Sequence, residues 1–276
     1  MQIQSTKTLS NGVGMPRLGF GVYKLTDHDE ALQAMEAAIH TGYRAIDTAA
    51  LYNNEKEVGE AIRLSSVPRE DFFITSKVWN HDQGYDETLR AFEVSLKKLD
   101  LQYLDLYLTH WPVIEKYQDT YRAIERLYDE KLIRATGVSN HHEHHLEKIL
   151  ANANVAPMVN QVECHPYLAQ KELHAFCADH NIALTAWSPL GRGKVLTDES
   201  IIEIGQRYNK SAAQVILRWH LQNDVLVIPK SSNPQRIIEN AAIFDFELTK
   251  EDMNKIDALN RNERIGQNPD NFHFDF

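Results

Sequence analysis

The chain has 276 residues, 43% of them hydrophobic and 25% charged, an ordinary globular composition that is long enough to bury a large core. Its formal charge is -10, from 39 acidic and 29 basic residues, so the surface as a whole repels phosphodiester backbones and argues against a nucleic-acid partner. Cys164 and Cys177 have neither CxxC nor zinc-knuckle spacing, no basic start leads into an apolar run, and no stretch of roughly 18 apolar residues occurs, so reduced thiols, no membrane span and a cytoplasmic location are expected.

In chain order, Asn11-Gly12 between Leu9 and Val13 predicts a small β-hairpin. Short apolar runs then recur roughly every 25 to 30 residues with amphipathic segments between them, the pattern of repeated βα units. Strands are expected at Arg17–Gly21, Arg44–Asp47, Phe72–Lys77, Leu104–His110, Ala135–Ser139, Met158–Gln161, Ala183–Ser188 and Val225–Pro229. The intervening helices include Asp29–His40, Asn54–Ser65, Tyr85–Leu99, Tyr117–Lys131 and Leu168–His180. Asp27 is placed to cap the first helix, Gly42 to end it and Asn53 to cap the second.

Eight parallel strands can close into a (β/α)8 TIM barrel or lie open as a doubly wound sheet. The open form normally carries a Gly-rich first turn, and no GxGxxG follows any of the runs. Gly12, Gly14, Gly19 and Gly21 surround the first strand without linking it to a helix. A closed barrel is therefore expected, with the hairpin plugging its bottom. No low-complexity linker divides the chain, so residues 1–276 are read as one domain.

Barrel enzymes carry their chemistry at the carboxyl ends of the strands. Here those ends supply Asp47, with Tyr52 five residues on, then Lys77, His110, Ser139-Asn140, Asn160-Gln161, Trp187-Ser188 and Lys230-Ser231-Ser232. Taken singly, an Asp after a strand is a turn residue and a Lys there a solvated charge. Together, Asp47, Tyr52, Lys77 and His110 make a proton-transfer set, because a phenol with a pKa near 10 is a poor acid at neutral pH and needs help. Lys77 would lower the phenol's pKa, Asp47 would hold Lys77 charged, and His110 could orient a carbonyl oxygen.

At these residues the sequence resembles the aldo-keto reductases, particularly bacterial members that act on diketogluconate, glyoxal or methylglyoxal-like substrates. The carrying segments are MPRLGFGVYK from Met15, GYRAIDTAALYNNEKEVGEAI from Gly42, FFITSKVW from Phe72, LDLYLTHWP from Leu104, GVSN from Gly137, NQVECHPY from Asn160 and IPKSSNPQRIIEN from Ile228. The resemblance places Asp47, Tyr52, Lys77 and His110 on that family's catalytic tetrad, with Tyr52 as general acid in reduction. It implies NADPH bound without a Rossmann unit: the carboxamide at Ser139, Asn140 and Gln161, and the nicotinamide stacked on Trp187. The segment SPLGRGK, including Ser188, Leu190 and Gly191, offers backbone amides and two cations to a pyrophosphate. Lys230, Ser231, Ser232 and Arg236 match the segment that grips the adenosine 2'-phosphate, and Glu239 and Asn240 match adenine contacts. Two cations there favour NADPH, with NADH as a secondary donor. Tyr23, Trp79, His110 and Trp111 fall on the pocket wall for a small-molecule carbonyl substrate. Phe272, His273 and Phe274 lie in a tail of the kind that closes the pocket's side.

Other features are set against these. His141-His142-Glu143-His144-His145 has metal-ligand character, but no carboxylate or thiol partner is evident at a suitable spacing, so it is read as the exposed start of the fifth helix with no metal role. Cys164 beside His165 lacks a third group for a thiol nucleophile. Two competing functions stay open: a lyase or isomerase using Lys77 as a Schiff-base amine, and a sensor subunit that binds NADPH and turns over slowly. A monomer is expected, since no additional apolar helix face demands a partner.

Overall fold

The computed structural model describes residues 1–271. Its first element is the hairpin, β1 (Thr6–Thr8) pairing antiparallel with β2 (Gly14–Pro16). Eight parallel strands follow: β3 (Gly19–Gly21), β4 (Ala45–Asp47), β5 (Phe73–Val78), β6 (Leu104–Thr109), β7 (Ile133–Ser139), β8 (Val159–Glu163), β9 (Ala183–Trp187) and β10 (Leu226–Val227). Each pairs with the next in sequence order. The ends meet through a parallel bridge between Leu18 and Val227, with the Val227 and Gly21 amides donating to the carbonyls of Arg17 and Pro229 at 3.1 Å each. The expected barrel is therefore present, nearly closed.

Helices α1 (His28–Thr41), α2 (Glu55–Leu64), α3 (Tyr85–Leu99), α4 (Tyr117–Asp129), α5 (Glu143–Leu150) and α6 (Lys171–Asp179) alternate with the strands from β3 to β9. Two helices, α7 (Glu199–Tyr208) and α8 (Ala212–Gln222), precede β10, and α9 (Pro234–Ala241) and α10 (Lys250–Asp257) follow it. In α3 the buried positions Thr88, Phe92, Ser95 and Leu99 make one stripe against the barrel. Burial on both faces explains why the strands read as apolar runs without alternation: every residue of β5 and β6 is buried.

The Asp27 side chain accepts the Glu30 amide at the start of α1, and Gly42, with φ 111°, ends it in a left-handed conformation that a side chain would strain. Asn53 does not cap α2. It has φ 55° and closes a short 3-10 turn, Ala50–Tyr52, while Asn54 takes the N-cap position and turns its side chain elsewhere. The last regular strand, Leu226–Val227, is shorter than expected, although the Ile228 amide still donates to the Ala186 carbonyl at 3.4 Å and the Pro229 carbonyl still accepts from Gly21. At the bottom, Leu9 and Met15 of the hairpin region pack with Phe73, Leu106, Leu108 and Val159 from inside the barrel, which makes the hairpin its plug. Among the described residues no helix is long and apolar enough to cross a membrane.

Candidate active site

At the opposite end, the carboxyl ends of the strands surround a cavity of about 610 Å3. Asp47 ends β4, Lys77 lies one residue from the end of β5, and His110 directly follows β6. The Lys77 ammonium donates to Asp47 Oδ1 at 2.6 Å, to the Thr48 carbonyl at 2.9 Å and to the Tyr52 hydroxyl at 3.4 Å. Asp47's other oxygen accepts from Gln161 Nε2 at 2.6 Å. The His110 ring meets the Tyr52 ring edge-on at a centroid distance of 5.7 Å. All four proposed proton-transfer residues thus line one wall of one cavity or support it directly.

Tyr52 reaches this position from the 3-10 turn, and Asn54 fixes that turn. The Asn54 amide donates to the carbonyls of Val22 and Leu25 at 2.8 and 2.9 Å and accepts from Thr48 Oγ1 at 2.7 Å. Sequence reasoning gave Asn54 no such role; the only signal was an Asn pair where a single helix cap sufficed.

Electrostatics depart from the expectation in one respect. The phenol of Tyr52 lies well above the usual 10, not below it: burial opposes the phenolate, and the Asp47 charge adds to that. Burial also pushes the Lys77 ammonium down, and contact with Asp47 works against that shift. His110 falls well below 6.5 through burial and the nearby Lys77 charge, so its ring is neutral at physiological pH. Its Nδ1 is buried with no partner among the described residues, which leaves Nε2 to meet a ligand.

Tyr23, Trp79 and Trp111 line the cavity as expected. Tyr23 stacks obliquely on Tyr52 at 4.9 Å, and Trp79 meets the His110 ring edge-on at 5.1 Å. Phe272, His273 and Phe274 lie outside the described residues.

Of the expected cofactor residues, Ser139, Asn140, Gln161, Trp187, Ser188, Leu190 and Lys230 line the cavity. Their remaining hydrogen-bonding capacity fits a primary carboxamide. Asn140 Nδ2 is spent on the His110 carbonyl and Ser139 Oγ, at 3.0 and 3.2 Å, but Oδ1 accepts only the Trp187 indole N–H, at 2.8 Å, and keeps a lone pair. Gln161 keeps its oxygen and one N–H after serving Asp47. Two acceptors and a donor therefore remain, the complement of an amide's two N–H groups and one carbonyl.

Gly191 is buried beside this wall, but the amides of Gly191 and Gly193 are spent inside the loop, on the carbonyls of Ser188 and Leu190. Those two N–H groups are not the free donors that SPLGRGK suggested. Ser231, Ser232, Arg236, Glu239 and Asn240 lie beyond the cavity on the segment from β10 into α9. Lys230 and Arg236 are exposed. Asn233 caps α9 by accepting the Arg236 amide at 3.1 Å.

Besides Asn54 and cavity-lining residues such as Lys24, Leu51 and Ile228, the residues missed in sequence come from the C-terminal segment. Gly266 and Gln267 line the cavity. The buried Glu163 carboxylate holds that segment by accepting the amides of Ile265 and Gly266 at 2.6 and 2.9 Å. A Cβ at Gly266 would fall 2.4 Å from the Trp187 ring, so only glycine allows this approach. Nothing in the local sequence marks such a contact.

The set-aside features are also relocated. His141 is buried, its Nδ1 within 2.8 Å of the Ser139 carbonyl, so the histidine tract is not simply an exposed helix start. A carboxylate partner exists, since Asp270 lies 2.9 Å from His142 Nδ1. The Cys164 thiol is buried and pushed up to about 12, unsuited to a thiolate nucleophile.

The sequence profile of the aldo/keto reductase family matches residues 17–261. Among curated proteins, the chain is 58% identical to "Glyoxal reductase" of Bacillus subtilis (strain 168), covering 99% of both chains. It is 44% identical to "Methylglyoxal reductase DkgA" of Salmonella typhimurium, covering 96% of each. Among solved structures, an aldo-keto reductase enzyme from a Medee basin deep-sea metagenome library superposes with a TM-score of 0.94 at 43% identity, covering 98% of this chain and 100% of that one.

Proposed function

The chain belongs to the aldo/keto reductase family, and from that premise we propose that it reduces small aldehydes, ketones and dicarbonyls to alcohols with NADPH, Tyr52 giving the proton. The observation that carries this reading is the buried chain of contacts from Asp47 through Lys77 to the Tyr52 hydroxyl, at 2.6 and 3.4 Å, opening onto a cavity walled by aromatic rings. NADPH, when bound, supplies the hydride that converts the carbonyl carbon to an alcohol carbon. Ser139, Asn140, Gln161 and Trp187 would hold its nicotinamide end, and the exposed cations Lys230 and Arg236 its 2'-phosphate.

The carbonyl oxygen rests between Tyr52 and His110. A neutral His110 donates a hydrogen bond from Nε2 without adding a charge, and so orients the oxygen toward the phenol. As the oxygen gains negative charge it becomes a far stronger base than a phenolate, so it takes the Tyr52 proton even from a phenol whose pKa is raised. The Lys77 ammonium then stabilises the phenolate until solvent returns a proton, and Asp47 keeps that ammonium in place. The same ion pair disfavours Lys77 as a Schiff-base amine, which would have to be neutral.

Dicarbonyls are the favoured substrate class, because relatives named for glyoxal and methylglyoxal reduction match over nearly their whole length. The test is steady-state loss of NADPH absorbance with methylglyoxal, alongside Tyr52→Phe. The variant is expected to lose about 10²- to 10⁴-fold in kcat. Tight NADPH binding with no turnover on any carbonyl would favour a sensor and refute the reductase reading.

A further inference from the structure

The histidine tract and the C-terminal segment meet outside the cavity. His142 takes the N-cap position of α5 and His145 lies in its first turn, with His145 Nδ1 accepting the His142 backbone amide at 3.2 Å. His145 Nε2 is therefore the ring atom left for a ligand. Asp270, distant in sequence, brings both carboxylate oxygens to 2.9 Å from His142 Nδ1, and its Oδ1 stands 3.4 Å from His144 Nε2. One nitrogen from each of His142 and His145 and one oxygen of Asp270 lie within 4.8 Å of one another.

We propose that His142, His145 and Asp270 bind a divalent transition-metal ion of the Zn2+ type, fastening the C-terminal segment to the start of α5. Two imidazoles and one carboxylate suit borderline ions such as Zn2+, whereas Mg2+ and Ca2+ prefer sets made of oxygen. Three protein ligands leave the remaining position to water.

Arg264 defines the metal-free state. Its guanidinium lies 2.6 Å from His142 Nε2, which therefore accepts, so the ring proton sits on Nδ1 and faces Asp270. An ion on Nδ1 moves that proton to Nε2. Two donors would then face each other, and Arg264 must withdraw. Arg264 and the metal ion are thus alternative cations for one imidazole. Either way the fastened segment is the one whose Gly266 and Gln267 wall the cavity.

The experiment is equilibrium dialysis of the full, tag-free chain against Zn2+, with Asp270→Asn, His142→Gln and Arg264→Gln in parallel. The zinc-free thermal midpoint of each variant establishes that it folds. Wild type is expected to take up about one ion per chain with an affinity about tenfold or more above that of Asp270→Asn and His142→Gln. Arg264→Gln, relieved of the competing donor, is expected to bind more tightly than wild type. Equal uptake by wild type, Asp270→Asn and His142→Gln, or none by wild type, overturns the site. The readout is metal content, so it is independent of reductase activity.

Discussion

The Lys77 ammonium and the Asp47 carboxylate lie 2.6 Å apart, with both side chains buried. Neither charge is tolerable there alone, and each accounts for the other. Asp47→Asn keeps the shape but removes the counter-charge, and the amide cannot accept from Lys77 and Gln161 on both of its ends. A stability loss of about 3 to 5 kcal/mol is expected, measured by urea denaturation, together with a fall in kcat. A fully stable variant would show that the pair is not holding the wall.

Arg236→Ala is expected to raise the KM for NADPH about tenfold or more while leaving that for NADH nearly unchanged. Only NADPH carries the 2'-phosphate that the exposed Arg236 guanidinium would meet. Initial rates with both donors decide the matter; equal weakening would remove Arg236 from the phosphate site.

Gly266→Ala places a methyl group 2.4 Å from the Trp187 ring and 2.9 Å from Glu163 Oε2. Either the ring or the segment must move, at a cost of about 1 to 3 kcal/mol. A lower thermal midpoint and weaker NADPH binding by fluorescence are expected together. Loss of stability with NADPH binding unchanged would mean that the segment yields and that Gly266 does not position Trp187 for the cofactor.

Two buried imidazoles outside the histidine tract set an acid limit. Burial holds His110 well below 6.5 and His220 at about 3. Folding therefore keeps them neutral, while the unfolded chain protonates them below about pH 6.5. Their contribution is fully present above that pH and is lost as pH falls, by up to about 1.4 kcal/mol per pH unit per ring. Urea midpoints at pH 7.5 and pH 5 measure this, and a flat profile would contradict the burial-driven shifts.

What was legible in the sequence depended on distance along the chain. The Asp27 cap, the Gly42 stop and the hairpin around Asn11-Gly12 are settled by neighbours, and they were read correctly. The strand ends were legible because the βα repeat brings every carboxyl end to one rim. Asp270 beside His142, and Gly266 beside Trp187, join positions far apart in the chain, and no local pattern announces them. The direction of the Tyr52 shift was misjudged for a related reason: residue types disclose that a lysine is near, but only the folded packing discloses how much water is gone.

Finally, the site is a blind well, floored by the packed side chains of the barrel interior and closed below by the hairpin. With Leu9 and Met15 wedged into the lower end, nothing entering the mouth can leave by the other side. In the proposed reaction cofactor, carbonyl and alcohol would all have to share that one doorway. A bulky molecule lodged at the mouth would then bar both entry and exit at once.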